Sequence, residues 1–320
     1  MAIKLTCARV QFAVFSACLC NPLFSQDMNT ITSYNPADVE FERYDEDFVS
    51  LVEMVYGQGL LSQGGLASID ELFSGITLDG LKLLDIGSGL GMYDIHLAKK
   101  HCVAITAVDP QEKLVEQAVH HLEQAQGELK GSVQFLVLKN PNSLCQFPDH
   151  SFDIVFSKET ILHISNKIKQ EYFNDVYRVV KPGGKIIIMD WMHTSCHYSD
   201  TTKKMMEMDG LAFQLLTPQE YSSIIENAGF CTVRLIDKTE QYVLHSQGNI
   251  DTIYALQDDI VRQFGQATYD YSILSWEYQR DAFKNKELLV GVFVAEKYAQ
   301  YVYPNNLNSE QQRHKLKIGD

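Results

Sequence analysis

Between residues 83 and 91 the chain reads Leu-Leu-Asp-Ile-Gly-Ser-Gly-Leu-Gly, with glycines at 87, 89 and 91 and an acid, Asp85, two residues before the first. Glycine at every second position lets a backbone turn tightly and approach a ligand without a Cβ in the way. A second acid, Asp109, stands 22 residues after Gly87, at the end of the apolar run Val103–Val108. A carboxylate at that place can accept both hydroxyl protons of a ribose. A dinucleotide fingerprint would need glycine at position 92, which is Met92, so the spacing disfavours a nicotinamide oxidoreductase. A third string, Ser157-Lys158-Glu159-Thr160-Ile161-Leu162-His163, places a cation, a carboxylate and an imidazole within seven residues. Histidine can take or give a proton near neutral pH.

Such groups must be held by regular elements, and the chain offers them. Apolar strand candidates at Leu81–Ile86, Val103–Val108, Val133–Leu138, Phe152–Phe156 and Lys185–Met189 alternate with helical segments near 92–100, 111–126 and 167–180. This βαβ alternation predicts an α/β fold with a largely parallel sheet covered on both faces. Lys181-Pro182-Gly183-Gly184 reads as a turn before the fifth strand. The Met-rich segment 191–217 is expected to form a lid over the strand ends. Helix 218–227, strand 230–236, a mostly helical stretch 247–286 and a last strand Leu288–Ala295 complete the pattern, and 238–286 is read as a second lid insertion. The domain is thus placed at 41–300, after an N-terminal extension (1–40) and before a C-terminal tail (301–320).

Composition bounds the partners. The 320 residues carry 27 Lys+Arg against 41 Asp+Glu, a formal charge of −14 that disfavours nucleic acid and favours small molecules. No apolar run reaches the roughly 18 residues of a membrane span. Seven cysteines with no paired metal-ligand spacing argue against a disulfide framework or a metal site, and read as reduced thiols, mostly buried beyond residue 100. Residues 1–27 have the layout of a weak secretory signal, with Lys4 and Arg9 before an apolar stretch. The alternative is a leader upstream of a start at Met28, favoured because the chemistry below needs a cofactor made inside cells. A cytoplasmic monomer is expected.

The Gly87/Gly89/Gly91 loop, Asp109 and Lys181-Pro182-Gly183-Gly184 together resemble the class I S-adenosylmethionine-dependent methyltransferases. That resemblance implies a Rossmann-like sheet with an antiparallel last strand, S-adenosylmethionine as cofactor, and Asp85, Gly87, Gly89, Asp109 and Pro110 around it. The family usually has an acid after the third strand for the adenine amino group. Here Asn140 and Pro141 occupy that place, and an amide carbonyl can accept the same hydrogen bond.

Over about 41–297 the likeness extends to one branch. Tyr56-Gly57-x-Gly59-Leu60-Leu61-Ser62-Gln63-Gly64-Gly65, the string from Ser157 to His163, and Met189-Asp190-Trp191 resemble the phosphoethanolamine N-methyltransferases. This resemblance implies that Leu61, Ser62 and Lys158 join the cofactor site and that Tyr44 and His163 form a catalytic dyad. Glu159, Trp191 and Phe213 become candidates to hold a cationic amine, which aromatic faces and a carboxylate recognise. Departures lie in the phosphate grip. The family's Arg-Asp pair is Lys158-Glu159, its lid Tyr, Arg and Tyr fall on Glu207, Leu211 and Phe213, and a helical Lys falls on Gln279. Lys203, Lys204, Lys284 or Lys286 are the available substitutes. Methyl transfer to an unphosphorylated acceptor at N, O, S or C, and a non-catalytic cofactor-binding role, stay open beside transfer to a phosphoethanolamine-like amine.

Overall fold

The computed structural model describes residues 44–195, 197–209 and 213–299. The expectations for the N-terminal extension, Cys196, Leu211 and the C-terminal tail lie outside them. Seven strands form one sheet in the order β3-β2-β1-β4-β5-β7-β6: β1 Lys82–Ile86, β2 Ala104–Asp109, β3 Ser132–Val137, β4 Phe152–Lys158, β5 Val180–His193, β6 Cys231–Asp237 and β7 Leu288–Glu296. Strands β1 to β5 pair in parallel, and β7 enters antiparallel between β5 and β6. Strand order reverses between β1 and β4, which opens a crevice at their carboxyl ends, where open α/β sheets bind ligands.

Both faces of the central strands are apolar because both are covered. On one face Leu83, Ile105, Phe156, Ile187 and Trp191 pack beneath α2 (Gly65–Leu72), α3 (Met92–Lys100), α8 (Thr239–Ala255) and α10 (Gln266–Lys284). On the other, Leu84, Val108, Val155, Ile186 and Ile188 pack against α5 (Lys169–Val179) and α7 (Pro218–Asn227). Helices α1 (Glu46–Tyr56), α4 (Glu112–Ala125), α6 (Asp200–Asp209) and α9 (Gln257–Phe264) complete the described α-helices, beside one-turn helices at Gln126–Glu128 and Ile161–His163. Local signals set several ends. Asp45 caps α1 by accepting the Phe48 amide at 2.7 Å, and Thr217 and Glu220 form a capping box at α7.

Three details differ from the sequence reading. Strand β5 begins at Val180, so Lys181-Pro182-Gly183-Gly184 lies within it; a bulge between the Phe152↔Val180 and Ile154↔Lys185 pairs absorbs the turn-forming residues. The first lid segment starts later than 191, because β5 continues through Trp191 to His193 against β7. Cys102 and Cys145 lie in connecting loops and are exposed, and Cys231 opens the edge strand β6 and is half-buried, so the expectation of buried thiols beyond residue 100 fails for these three. Among the described residues no helix is long and apolar enough to cross a membrane.

Candidate functional site

The glycine loop leaves β1 at the crevice. Gly87, Gly89 and Gly91 have φ of 83°, 52° and 77°, the left-handed region that side chains avoid. Two of these glycines answer to the protein's own packing. A Cβ at Gly87 would stand 2.1 Å from Thr160 Oγ1, and one at Gly91 2.3 Å from the Phe135 ring. At Gly89 the nearest atom is Leu61 Cδ1 at 3.1 Å, the end of a flexible side chain that can give, so the middle glycine is the one least bound by the protein's own packing. Replacing Gly87 by alanine should therefore lower the unfolding free energy by about 2–4 kcal/mol, combining overpacking with backbone strain. Urea denaturation would measure it, and a loss below about 0.5 kcal/mol would contradict the packing argument.

Asp109 closes the loop from β2. Its Oδ2 accepts the Gly89 amide at 3.0 Å and its Oδ1 the Gln111 amide at 2.9 Å, leaving lone pairs on both oxygens for hydroxyl donors. Ser88 Oγ is buried beside it with no partner among the described residues. A carboxylate with spare acceptor capacity and an orphaned hydroxyl in a glycine cradle fit the ribose and methionine ends of the expected cofactor. Burial pushes Asp109 up to about 6, against the two backbone amides that favour its charge. Hydroxyl donors prefer the ionised form, so ligand binding draws Asp109 toward deprotonation. Affinity for an adenosyl ligand should be flat above pH 6 and fall toward tenfold per pH unit below it. Calorimetric titrations with S-adenosylhomocysteine between pH 5 and 8 would show this slope, and its absence would remove Asp109 from the site.

Asp85 lies under the loop, fully buried against Asp94 of α3. Neither Asp94 oxygen has a hydrogen-bond partner among the described residues, so two charges side by side there would go uncompensated. Burial and then the neighbouring charge raise Asp85 well above the usual range, and burial takes Asp94 to about 7. Beyond β3, Asn140 is exposed and its Oδ1 accepts the Asn142 amide at 3.0 Å, so one lone pair is left for an adenine amino group. Pro110 and Pro141 are half-buried on either side of this opening.

A polar network runs from the end of β4. Lys158 Nζ donates to Ser62 Oγ at 2.7 Å, to the Gln63 carbonyl at 3.0 Å and to Glu159 Oε1 at 2.8 Å, which commits all three ammonium protons. Burial opposes its charge, but Glu159 and Tyr93 together more than offset this and hold the ammonium above its ordinary value. Ser62 Oγ lies 3.1 Å from Tyr93 Oη. Glu159 has φ 58°, rare for a residue with a side chain, and its second oxygen accepts Tyr242 Oη at 2.6 Å. Tyr242 in turn accepts the Trp191 indole N–H at 2.9 Å. Gln63, Tyr93 and Tyr242 were not singled out from the sequence. Tyr242 sits in a long helical stretch whose spacing carries no sign that its hydroxyl would meet Glu159.

Aromatic rings close the site from the sheet side. Trp191 packs on Phe213 at 5.2 Å and on Phe283 at 4.9 Å, and His163 lies 6.0 Å from Phe213. The strap after Phe213 is tied down by Gln214 N donating to Leu162 O at 2.7 Å, Asn166 Nδ2 to Leu215 O at 3.2 Å, and Lys169 Nζ to Gln214 O at 2.5 Å. Lys169 is fully buried, and burial brings it down to about 8 despite the charge of Asp190. Tyr44 packs with Leu61, Val49, Leu90 and Leu114, beside the glycine loop, and meets Phe48 edge-on at 5.6 Å. Loop, carboxylate, imidazole and rings are therefore gathered at one end of the sheet. Of the bases considered for a phosphate, Lys204, Lys284 and Lys286 are exposed, and Lys203 is exposed and pairs with Asp200. Glu207 is also exposed, whereas Gln279 is buried.

Comparison with known proteins agrees with this layout. Residues 84–188 match the family described as Methyltransferase domain. The chain is 30% identical over 256 residues to phosphoethanolamine N-methyltransferase 1 of Arabidopsis thaliana, covering 80% of this chain and 50% of that protein. It is 24% identical to the phosphoethanolamine N-methyltransferase of Plasmodium falciparum, covering 81% and 95%. A solved structure of Haemonchus contortus phosphoethanolamine N-methyltransferase 2, in complex with phosphomonomethylethanolamine and S-adenosylhomocysteine, aligns with TM-score 0.72 and 21% identity over 83% of this chain and 61% of that one. The chain spans about half the length of the plant relatives it matches. The sheet order, the glycine loop and these similarities make this chain a class I methyltransferase by fold, and over four fifths of its length it resembles the phosphoethanolamine N-methyltransferases.

Proposed function

We propose that this chain is an S-adenosylmethionine-dependent N-methyltransferase of a small, phosphoethanolamine-like amine, working as a cytoplasmic monomer. One observation carries the reading: Glu159, held at positive φ between Lys158 and Tyr242, stands at the carboxyl end of β4 beside the glycine loop and the aromatic rings. Strain of this kind persists only where surrounding contacts over-determine it, and such positions cluster at working sites.

When bound, the cofactor supplies a methyl group on a sulfonium, electrophilic enough to pass to a lone pair. Everything else falls to the chain. Gly89 gives the ligand close approach, Asp109 accepts ribose hydroxyls, and Asn140 and Pro141 border the adenine side, with Leu61 and Ser62 closing the loop. An ammonium acceptor has no lone pair until a proton leaves, and Glu159 attracts the cation while His163 takes the proton. Tyr44 orients His163 from the loop side. Trp191 and Phe213 keep water from the transfer and offer ring faces to the cation. Labelled S-adenosylmethionine with phosphoethanolamine, its mono- and dimethyl forms, ethanolamine and N-methylated ethanolamines tests the proposal. Transfer to at least one amine supports it. Cofactor binding with transfer to none would leave a silent binding protein.

A further inference from the structure

The proposed chemistry leaves unused a buried cation beneath the strap that follows Phe213. Lys169 stands at the start of α5 with its side chain fully buried, and among the described residues its Nζ donates to a single group, the Gln214 carbonyl at 2.5 Å. Two groups from other elements face it. Asp190 of β5 lends a favourable charge; its Oδ2 accepts the Tyr221 hydroxyl of α7 at 2.9 Å, and its Oδ1 has no partner among the described residues. The Tyr221 ring is centred 6.0 Å from Nζ. An ammonium ion buried for one carbonyl costs stability that an apolar side chain of the same length would not. The reason for it lies in what that carbonyl belongs to.

Gln214 sits in the strap 213–216 ahead of α7, and the peptide groups of this strap are held one by one. Gln214 N donates to Leu162 O at 2.7 Å, Leu215 O accepts Asn166 Nδ2 at 3.2 Å, and Leu216 O accepts His193 N at 3.1 Å. Leu215 packs into the core on one face of the sheet and Leu216 into the core on the other, so the strap runs across the end of the sheet. Leu162, Asn166 and Lys169 belong to one short stretch, 162–169, which also carries His163. Residue 214 is thus fixed from both sides, its N–H by Leu162 and its carbonyl by Lys169. Its neighbour Phe213 is thereby set with its ring 6.0 Å from His163 and 5.2 Å from Trp191. Of these holds, the one from Lys169 is made by a charged group, and charge-assisted hydrogen bonds are about twice as strong as neutral ones.

We propose that Lys169 is a positioning residue: its ammonium grips the strap at Gln214 O and through it sets the Phe213 ring against His163 and Trp191. The use made of those rings rests on the N-methyltransferase reading, whereas the grip itself does not. Without the grip the strap lifts, Trp191 meets water, and the acceptor side of the site loses a wall. The cofactor side keeps its form, because Asp109 and Asn140 lie at the ends of β2 and β3.

The first readout needs no acceptor. The chain has two tryptophans, so Trp276→Phe leaves Trp191 as the sole indole, and its 6% exposure predicts weak quenching by acrylamide. On that background Lys169→Met, which keeps the stem and removes the donor, should raise the quenching constant at least twofold. Phe213→Ala should do the same, and adding Lys169→Met to it should change the constant by less than about 1.3-fold. Removal of the cation need not strand a charge, since burial already raises Asp190 to about 7 and it can take a proton. Lys169→Gln, one atom shorter and uncharged, is the second variant and should shift quenching in the same direction. The second readout uses labelled S-adenosylmethionine with phosphoethanolamine and ethanolamine. In Lys169→Met, kcat/KM for the methylated amine should fall at least tenfold while S-adenosylhomocysteine affinity stays within about twofold. Unchanged quenching in both Lys169 variants would overturn the grip, and additive quenching with Phe213→Ala would overturn its action through Phe213. Equal losses in kcat/KM and in S-adenosylhomocysteine affinity would make Lys169 a structural residue only. Methylation of neither amine by the unaltered chain, with quenching changed as expected, would count against the N-methyltransferase reading and leave the grip standing.

Discussion

Replacing Lys158 by methionine should cost about 3–5 kcal/mol of stability, the loss that follows when one partner of a buried ion pair is removed and the other stays. Its ammonium is almost wholly buried and is the shared donor for three groups from two parts of the chain, Ser62 and Gln63 ahead of α2 and Glu159 after β4. Without it, Glu159 keeps only the Tyr242 hydroxyl, in a site too dry to solvate a carboxylate, and the strained backbone at φ 58° loses one of its anchors. The double variant Lys158→Met/Glu159→Gln should recover more than half of the lost stability, because it removes the uncompensated charge. It should not recover methyl transfer, since the carboxylate proposed to attract the amine is gone. Urea unfolding of the two single variants and the double variant gives the coupling energy. Additive losses would mean that Lys158 and Glu159 do not act as a pair.

The same pair shows how far the sequence can be read. The glycine loop, Asp109 and the alternating strands were legible because each follows from local rules: backbone that only glycine tolerates, an acid at a strand end, apolar runs on a sheet covered on both faces. Lys158 and Glu159 were legible as types but not as partners. Resemblance assigned Lys158 to the cofactor, whereas its three protons go to the protein. Tyr242 was not legible as an anchor, for its role depends on how α8 folds back over the sheet. Such long-range register leaves no trace in periodicity. Gly87 and Gly91 belong to the same class: their positions suggested a ligand, and the atoms that exclude a Cβ there belong to Thr160 and Phe135. The turn read at Lys181-Pro182-Gly183-Gly184 failed for a related reason, since pairing with β4 draws these residues into the sheet at a bulge.

Replacing His163 by alanine should lower kcat by about 10²–10⁴, the usual contribution of a positioned acid–base group, while S-adenosylhomocysteine affinity changes less than about twofold. The asymmetry follows from where the residues lie. His163 ends the one-turn helix Ile161–His163 after β4 and faces Phe213 at 6.0 Å, on the aromatic side of the site. Asp109 and Asn140 lie at the ends of β2 and β3, across the sheet from β4. A proton acceptor on the acceptor side changes the reacting nitrogen and not the grip on the cofactor. Tyr44→Phe separates orientation from proton transfer: a positioning Tyr44 predicts a smaller fall in kcat with an altered pH profile, and none when His163 is already alanine. Strap geometry supplies the control. Leu162 O accepts the Gln214 amide at 2.7 Å, so a His163 variant that disturbed the strap would raise KM together with the loss in kcat. Equal losses in kcat and in cofactor affinity would make His163 a structural residue of the strap and move the proton-accepting role to Glu159.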